Sequence, residues 1–121
     1  MKLLFICGNG VSSGMIAQRT ANAGIDAGYD VEYDAYSYTQ LEDVIDEFDI
    51  VLVAPQIAFN EPLIKEICLD HTKPYVLIDS MAYSLLDGNK VFNQALCALG
   101  KEWYEKYIRK ITKLAGWPFF C

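Results

Sequence analysis

The sequence predicts a single α/β domain built on one open, four-stranded parallel β-sheet with helices on both faces. Two short segments, residues 2–7 and 49–54, are almost wholly apolar, as strands covered on both faces are. Segments with helical spacing of apolar residues alternate with the strands, which is typical of β-α-β units and a parallel sheet. The length of 121 residues fits one domain with its own core.

The first half of the chain predicts two strands joined by a helix. The strand at 2–7 leads into a glycine-rich loop, and the following helix begins with Ser12 or Ser13 as its N-cap and fades at Gly24. Residues 30–36 alternate between polar and apolar with period two. They are therefore predicted to form an edge strand with one wetter face.

The second half continues the same alternation. Residues 39–42 (Thr-Gln-Leu-Glu) match a capping box and predict the start of a short helix. The buried strand at 49–54 is followed by a helix that Asn60 caps. A fourth strand at 75–78 leads through a loop to the last helix, which begins near Gly88.

The relative apolarity of the strands predicts their order in the sheet. The two most apolar strands belong in the centre, and the strand at 30–36 belongs at an edge. With right-handed crossovers the predicted order is 2-1-3-4, which is found in flavodoxin-like and Rossmann-like sheets.

Residues 100–121 differ in character from the rest of the chain. Aromatic and aliphatic side chains, among them Trp103, Tyr104 and Tyr107, recur at helical spacing among lysines and an arginine. Such a stripe is typical of an amphipathic helix packed on its own domain. A docking surface for a partner or a membrane is the alternative interpretation.

Charge and segment lengths exclude several classes of protein. The net charge of -6 argues against a non-specific nucleic-acid binder and against an electrostatic anchor on anionic lipid. The apolar start of the chain is too short for a signal peptide, and no apolar run reaches transmembrane length. We therefore expect a cytoplasmic protein with reduced thiols and no direct membrane insertion.

The four cysteines do not predict a metal site. They are widely and irregularly spaced, no CxxC pair occurs, and His71 is the single histidine. Cys68 and Cys97 lie on apolar helix faces and are expected in the core. Cys7 is different because it ends the first strand.

Ligands of an open parallel sheet bind outside the carboxyl ends of the strands, where the strand order reverses. In the predicted order this point lies between the first and third strands, whose loops begin at Cys7 and Pro55. The sequence therefore places a thiol at the predicted site. A cysteine at a strand end is also a common core residue, and that interpretation stays open.

The loop after Cys7 has the composition of an anion-binding site. Gly8 and Gly10 let successive backbone N–H groups converge, and two serines supply hydroxyl groups. The next helix adds free N–H groups and the positive end of its dipole. A thiol in this setting is expected to have a lowered pKa and to act as a nucleophile.

Cysteine phosphatases also combine a thiolate with a phosphate-binding loop, of the form Cys-x5-Arg, whose arginine clamps the phosphoryl oxygens. Here the corresponding position is Ser13, and the nearest arginine is Arg19, inside the predicted helix. Asp79 is the one candidate for a general acid, although a turn cap is its more ordinary role. A loop without this arginine suits a phosphocysteine carrier better than a hydrolase.

Three segments resemble the IIB components of lactose/cellobiose/chitobiose-type sugar phosphotransferase systems. Residues 4–13 (Leu-Phe-Ile-Cys-Gly-Asn-Gly-Val-Ser-Ser) are similar to the family's phosphocysteine loop, Cys-x-x-Gly-Met-Ser-Thr-Ser. Residues 51–59 resemble its third-strand segment, which usually ends in Gly-Pro-Gln, and residues 76–83 resemble its fourth-strand segment. The resemblance spans residues 1–99, and residues 100–121 form an extension longer than is usual in the family.

The resemblance implies a protein-phosphohistidine–sugar phosphotransferase. Cys7 would accept a phosphoryl group from a phosphorylated IIA protein and pass it to a sugar held by a membrane IIC transporter. The sugar would be a β-linked disaccharide such as cellobiose, chitobiose or lactose, and no cofactor or metal is implied. The implied phosphate-binding residues are Gly8, Asn9, Gly10, Val11, Ser12, Ser13 and Gly14. The implied partner-facing rim is Pro55, Gln56, Ile57, Ala58 and Phe59.

One departure from the family pattern concerns the loop, because Gly14 stands where the third hydroxyl residue is usual. Two other functions remain open. One is a regulatory module whose partner binding depends on phosphorylation of Cys7, and the other is a hydrolase resembling the low-molecular-weight phosphatases.

Overall fold

The computed structural model describes residues 1–8 and 13–103, and there the predicted alternation of strands and helices is confirmed. Residues 104–121, which make up most of the predicted C-terminal extension, lie outside the described residues. The strands are β1 (Lys2–Cys7), β2 (Glu32–Ser37), β3 (Ile50–Val53) and β4 (Tyr75–Leu77). The helices are α1 (Gly14–Asp26), α2 (Leu41–Val44), α3 (Glu61–Asp70), α4 (Ser80–Ser84) and α5 (Gly88–Trp103).

The strands of the described residues form one parallel sheet in the order β2-β1-β3-β4, which confirms the predicted order. In the register of β1 with β2, Cys7 lies opposite Ser37. On the other side of β1, Ile6 lies opposite Val53 of β3. The strand that ends in Cys7 is therefore central, with a neighbour on each side.

Alternate side chains of β1 enter two different apolar clusters. Leu3 and Phe5 pack with residues of α1 and α5, such as Ile16 and Phe92. Leu4 lies on the opposite face of the sheet and packs with residues of α2 and α3. Both faces of the sheet are thus covered by helices, as predicted, which explains why β1 and β3 are apolar throughout. None of the helices in the described ranges is long and apolar enough to span a bilayer.

The predicted position of the capping box is wrong by two residues. The sequence predicts it at residues 39–42, whereas the structure forms it between Ser37 and Gln40. There it opens a 3-10 turn over Tyr38–Gln40 before α2. The Ser37 hydroxyl accepts from the Thr39 N–H at 3.3 Å, and the Ser37 N–H donates to the Gln40 side chain at 3.3 Å. The box forms earlier because β2 extends to Ser37, so the chain turns directly after that residue.

Two short helical segments follow strands where loops were predicted. The chain forms a 3-10 segment over Pro55–Asn60 after β3, and α4 begins directly after Asp79. Pro55 favours the 3-10 segment because it lies in the first turn, and Asp79 favours α4 because it caps the start of that helix.

The cysteines beyond the first loop differ in their surroundings. Cys68 is buried, as predicted, and burial raises the pKa of its thiol from 9.0 to about 11. Cys97 is only partly buried and is disulfide-bonded, so the predictions of a core position and of a reduced thiol are wrong for this residue.

Raising the pH above 9 is expected to lower the free energy of unfolding through Cys68. The unfolded thiol titrates near 9.0 and the folded one near 11, so between these values the unfolded state binds fewer protons. Stability from this group therefore falls as pH rises, by at most about 1.4 kcal/mol per pH unit. Urea unfolding of the wild type and Cys68→Ala at pH 8 and pH 10.5 measures this. The stability difference between the two proteins should shrink at high pH, and a constant difference would contradict the expectation.

Candidate functional site

The carboxyl edge of the sheet gathers the residues that the sequence analysis singled out. Cys7 is the last residue of β1, between β2 and β3. The Ala54 N–H donates to the Ile6 carbonyl at 2.9 Å, so the β1–β3 pairing continues to the point where Pro55 begins its segment. The strand order reverses between β1 and β3, which is where ligands of open α/β sheets bind.

Cys7 is a buried cysteine that is only 1% exposed. It belongs to the apolar cluster on the α2 and α3 face, together with Ile57. The residue is thus packed in the core and also stands at the edge where open α/β sheets bind their ligands.

The N-terminus of α1 provides hydrogen-bond donors close to Cys7 in the chain. Ser13 is the N-cap of this 13-residue helix, but its side chain makes no capping hydrogen bond, and the first turn holds no acidic residue. The first N–H groups of an α-helix have no acceptor within the helix, and its dipole favours an anion there. Among the described residues, the Ser13 side chain does not occupy these donors, and no carboxylate in the first turn opposes the positive field.

The Ser13 hydroxyl is a second observation at this helix start. Ser13 is 1% exposed, and its Oγ has no hydrogen-bond partner among the described residues. A buried hydroxyl without a partner costs about 1–3 kcal/mol, so such a group is expected to have a partner in some state of the protein. At Gly14 a Cβ would meet no atom within 4 Å among the described residues, so there is room beside the helix start.

Part of the predicted phosphate-binding loop is not covered by the structure. Asn9, Gly10, Val11 and Ser12 lie outside the described residues. The described residues on either side of this gap are Gly8, which is exposed, and Ser13, which is buried.

The predicted rim, residues 55–59, divides into an inward and an outward part. Ile57 is buried, and its Cγ2 lies 3.8 Å from the position that a Cβ on Gly8 would occupy. Phe59 is 76% exposed and Gln56 is also exposed, whereas Pro55 and Ala58 are half-buried. Ile57 therefore packs beside the start of the loop, and Phe59 and Gln56 are available for contact with another molecule.

Asp79, after β4, acts as the N-cap of α4, which confirms the predicted turn-capping role. Its carboxylate accepts from the Ala82 N–H at 2.9 Å, and this hydrogen bond lowers the pKa of Asp79, with Lys90 Nζ at 3.6 Å adding to the effect. The group is therefore ionised at neutral pH and poorly suited to act as a general acid.

Ser37 is a residue at this edge that the sequence analysis did not single out. Its hydroxyl donates to the Gly8 carbonyl at 3.0 Å, which links the end of β2 to the residue after Cys7. The Ser-x-x-Gln spacing of Ser37 and Gln40 is a capping-box signal that was present in the sequence. The contact with Gly8 joins residues 29 positions apart, and no local pattern signals it.

Comparison with known proteins places the chain in a family. The family model described as "PTS system, Lactose/Cellobiose specific IIB subunit" matches residues 2–94. The chain belongs to this family. The oligo-beta-mannoside-specific EIIB component of the phosphotransferase system of Bacillus subtilis (strain 168) is 26% identical to this IIB chain over 95 residues, which cover 78% of the chain and 92% of the relative.

Solved structures of IIB components share the architecture. The cellobiose-specific phosphotransferase IIB component from Borrelia burgdorferi is 33% identical, with a TM-score of 0.68, covering 83% of this IIB chain and 92% of the other. The lactose-specific IIB component domain from Streptococcus pneumoniae aligns with a TM-score of 0.72, covering 81% of this chain and 96% of the other. Since that domain is only 19% identical, it shows the common flavodoxin-like fold alone.

Proposed function

We propose that this IIB protein carries a phosphoryl group on Cys7 between a phosphorylated IIA protein and a sugar bound by a membrane IIC transporter. The observation that carries the proposal is the position of Cys7. It ends the central strand at the carboxyl edge of the sheet, and Ser13, just before α1, makes no capping hydrogen bond to a described residue, while the first turn of α1 holds no acidic residue. Free N–H donors at that start suit the oxygens of a phosphoryl group.

The first step transfers the phosphoryl group to sulfur. The thiolate of Cys7 attacks the phosphorus of the IIA phosphohistidine, an S–P bond forms, and the P–N bond breaks with its electron pair returning to the imidazole. The Ser13 hydroxyl and the N–H groups of the first turn of α1 supply hydrogen bonds to the phosphoryl oxygens. Such fixed donors stabilise the charge that these oxygens carry during transfer.

The second step releases the phosphoryl group to the sugar. A sugar hydroxyl oxygen attacks phosphorus, an O–P bond forms, and the S–P bond breaks to return the Cys7 thiolate. The hydroxyl proton passes to a base on the IIC side or to water. No cofactor is required, because the protein's contribution is positioning and hydrogen bonding.

The names of the relatives support a class of sugar. The relatives are described as specific for oligo-β-mannosides, lactose and cellobiose, which are all β-linked sugars. We therefore propose a β-linked di- or oligosaccharide as the final acceptor. The exposed Phe59 and Gln56 are proposed to face the IIA or IIC partner, and the exchange is proposed to take place in the cytoplasm.

Intact mass spectrometry tests the carrier role directly. The wild type and Cys7→Ser are incubated with a phosphoenolpyruvate-driven relay that ends in a phosphorylated IIA protein. The wild type should gain one phosphoryl group and Cys7→Ser should gain none. Cys68→Ala is the matched control, because Cys68 is another buried cysteine of the described residues, and this variant should be phosphorylated like the wild type.

The other candidate functions give different results. A wild type that gains no phosphoryl group from a IIA protein that phosphorylates its own IIB would overturn the proposal. Turnover of a phosphatase substrate such as p-nitrophenyl phosphate would indicate a hydrolase. Phosphorylation without transfer to sugar in membranes that contain the IIC partner would indicate a regulatory module.

A further inference from the structure

The Ser37 hydroxyl links β2 to the loop after the nucleophile. Cys7 and Ser37 are the last residue pair of the β1–β2 register, so Ser37 stands beside the start of the loop. Its Oγ donates to the Gly8 carbonyl at 3.0 Å. Gly8 is thus held by Ser37 on the β2 side and packs near Ile57 on the β3 side.

The hydrogen bonds around Ser37 use the full capacity of its hydroxyl. A serine hydroxyl has one donor and two acceptor sites. The donor goes to the Gly8 carbonyl, and one acceptor site takes the Thr39 N–H at 3.3 Å. The Thr39 hydroxyl lies 3.0 Å from the same oxygen and, because the Ser37 proton is used, it acts as the donor there. The two contacts from Thr39 therefore fix the direction in which Ser37 donates.

This link matters because of what the Gly8 carbonyl would do without it. A glycine backbone has wide conformational freedom, so the peptide group after Gly8 is free to rotate unless something holds it. A carbonyl oxygen turned toward the phosphoryl group would repel its negatively charged oxygens, which need donors around them. Ser37 occupies the carbonyl as an acceptor and keeps it on the β2 side.

We propose that Ser37 is a positioning residue for phosphoryl transfer at Cys7, acting through the Gly8 carbonyl. The inference rests on the proposed carrier function. In this role Ser37 acts through the Gly8 carbonyl and needs no contact with the phosphoryl donor or with the sulfur. It fixes the backbone by which the loop leaves Cys7, so its effect falls on the rate of the chemical step and not on docking of the IIA protein.

Single-turnover phosphorylation by a phosphorylated IIA protein tests this role. Ser37→Ala should lower the maximal rate by about tenfold, since one positioning hydrogen bond is lost. The IIA concentration at half-maximal rate should stay unchanged. Ser37→Thr keeps a hydroxyl and should recover most of the rate.

Gln40→Ala is the matched control, because it removes the other half of the capping box without touching Gly8. Its rate should stay within about twofold of the wild type, as expected for a solvated surface contact. A Ser37→Ala rate equal to the wild type, or equal losses in Ser37→Ala and Gln40→Ala, would overturn the inference while leaving the carrier function intact. A wild type that accepts no phosphoryl group would overturn both.

Discussion

Replacing Gly88 with alanine is expected to lower the free energy of unfolding by about 3 kcal/mol. A Cβ at this position would clash with the Arg19 carbonyl oxygen and lie 2.8 Å from the Thr20 nitrogen, both of them backbone atoms of α1. Backbone atoms inside a helix cannot move aside as a side chain can. The start of α5 would therefore have to separate from α1, and packing between these helices would be lost.

Gly14→Ala is the matched control for this prediction. Gly14 also lies at the start of a helix, but a Cβ there meets no described atom within 4 Å. Alanine has the higher helix propensity by about 1 kcal/mol, so Gly14→Ala should keep or raise stability. Urea unfolding of both variants measures the difference. Equal stabilities would show that α5 can approach α1 differently from the way this structure has it.

Phe5→Ala is expected to destabilise the protein by about 3–5 kcal/mol. Phe5 is fully buried in the middle of the central strand and packs in the α1 and α5 cluster. Removal of the ring loses its burial and leaves a cavity, because the neighbouring strands hold the backbone in place. Domains of this size have a total stability of about 5–15 kcal/mol, so a large part of it would be lost.

Phe59→Ala provides a control with the same change of side chain. Phe59 is 76% exposed, so its removal should change the free energy of unfolding by less than about 0.5 kcal/mol. Thermal or urea unfolding of the two variants separates the two sites, and similar losses in both would contradict the assignment of Phe5 to the core. If Phe59 contacts a partner as proposed, Phe59→Ala should also slow phosphoryl transfer from the IIA protein without unfolding the chain.

The sequence predicts the framework well because the framework depends on burial. The apolar runs at 2–7 and 49–54 mark central strands, and the wetter run at 30–36 marks an edge, so the strand order follows from composition. The position of Cys7 at the ligand-binding edge then follows from topology. These signals are local or depend on simple rules of chain connection.

Details of the edge could not be predicted in the same way. The hydrogen bond from Ser37 to Gly8 exists only because β2 lies beside β1, and nothing in either segment alone indicates it. Whether Ser12 or Ser13 is the N-cap of α1 depends on where the preceding segment ends, and the local sequence does not specify that point. The 3-10 segment after β3 was missed because Pro55 signals both a strand end and a helix start.

The placement of β1 between two separate apolar clusters determines how its backbone hydrogen bonds open in the native state. Its amides bond to strands on either side and its side chains are locked on both faces, so its hydrogen bonds are expected to open only with global unfolding. Amide exchange should therefore be slowest along Leu4, Phe5 and Ile6. Cys7 ends this strand, so the proposed carrier role would place the phosphoryl acceptor on the most persistent part of the molecule.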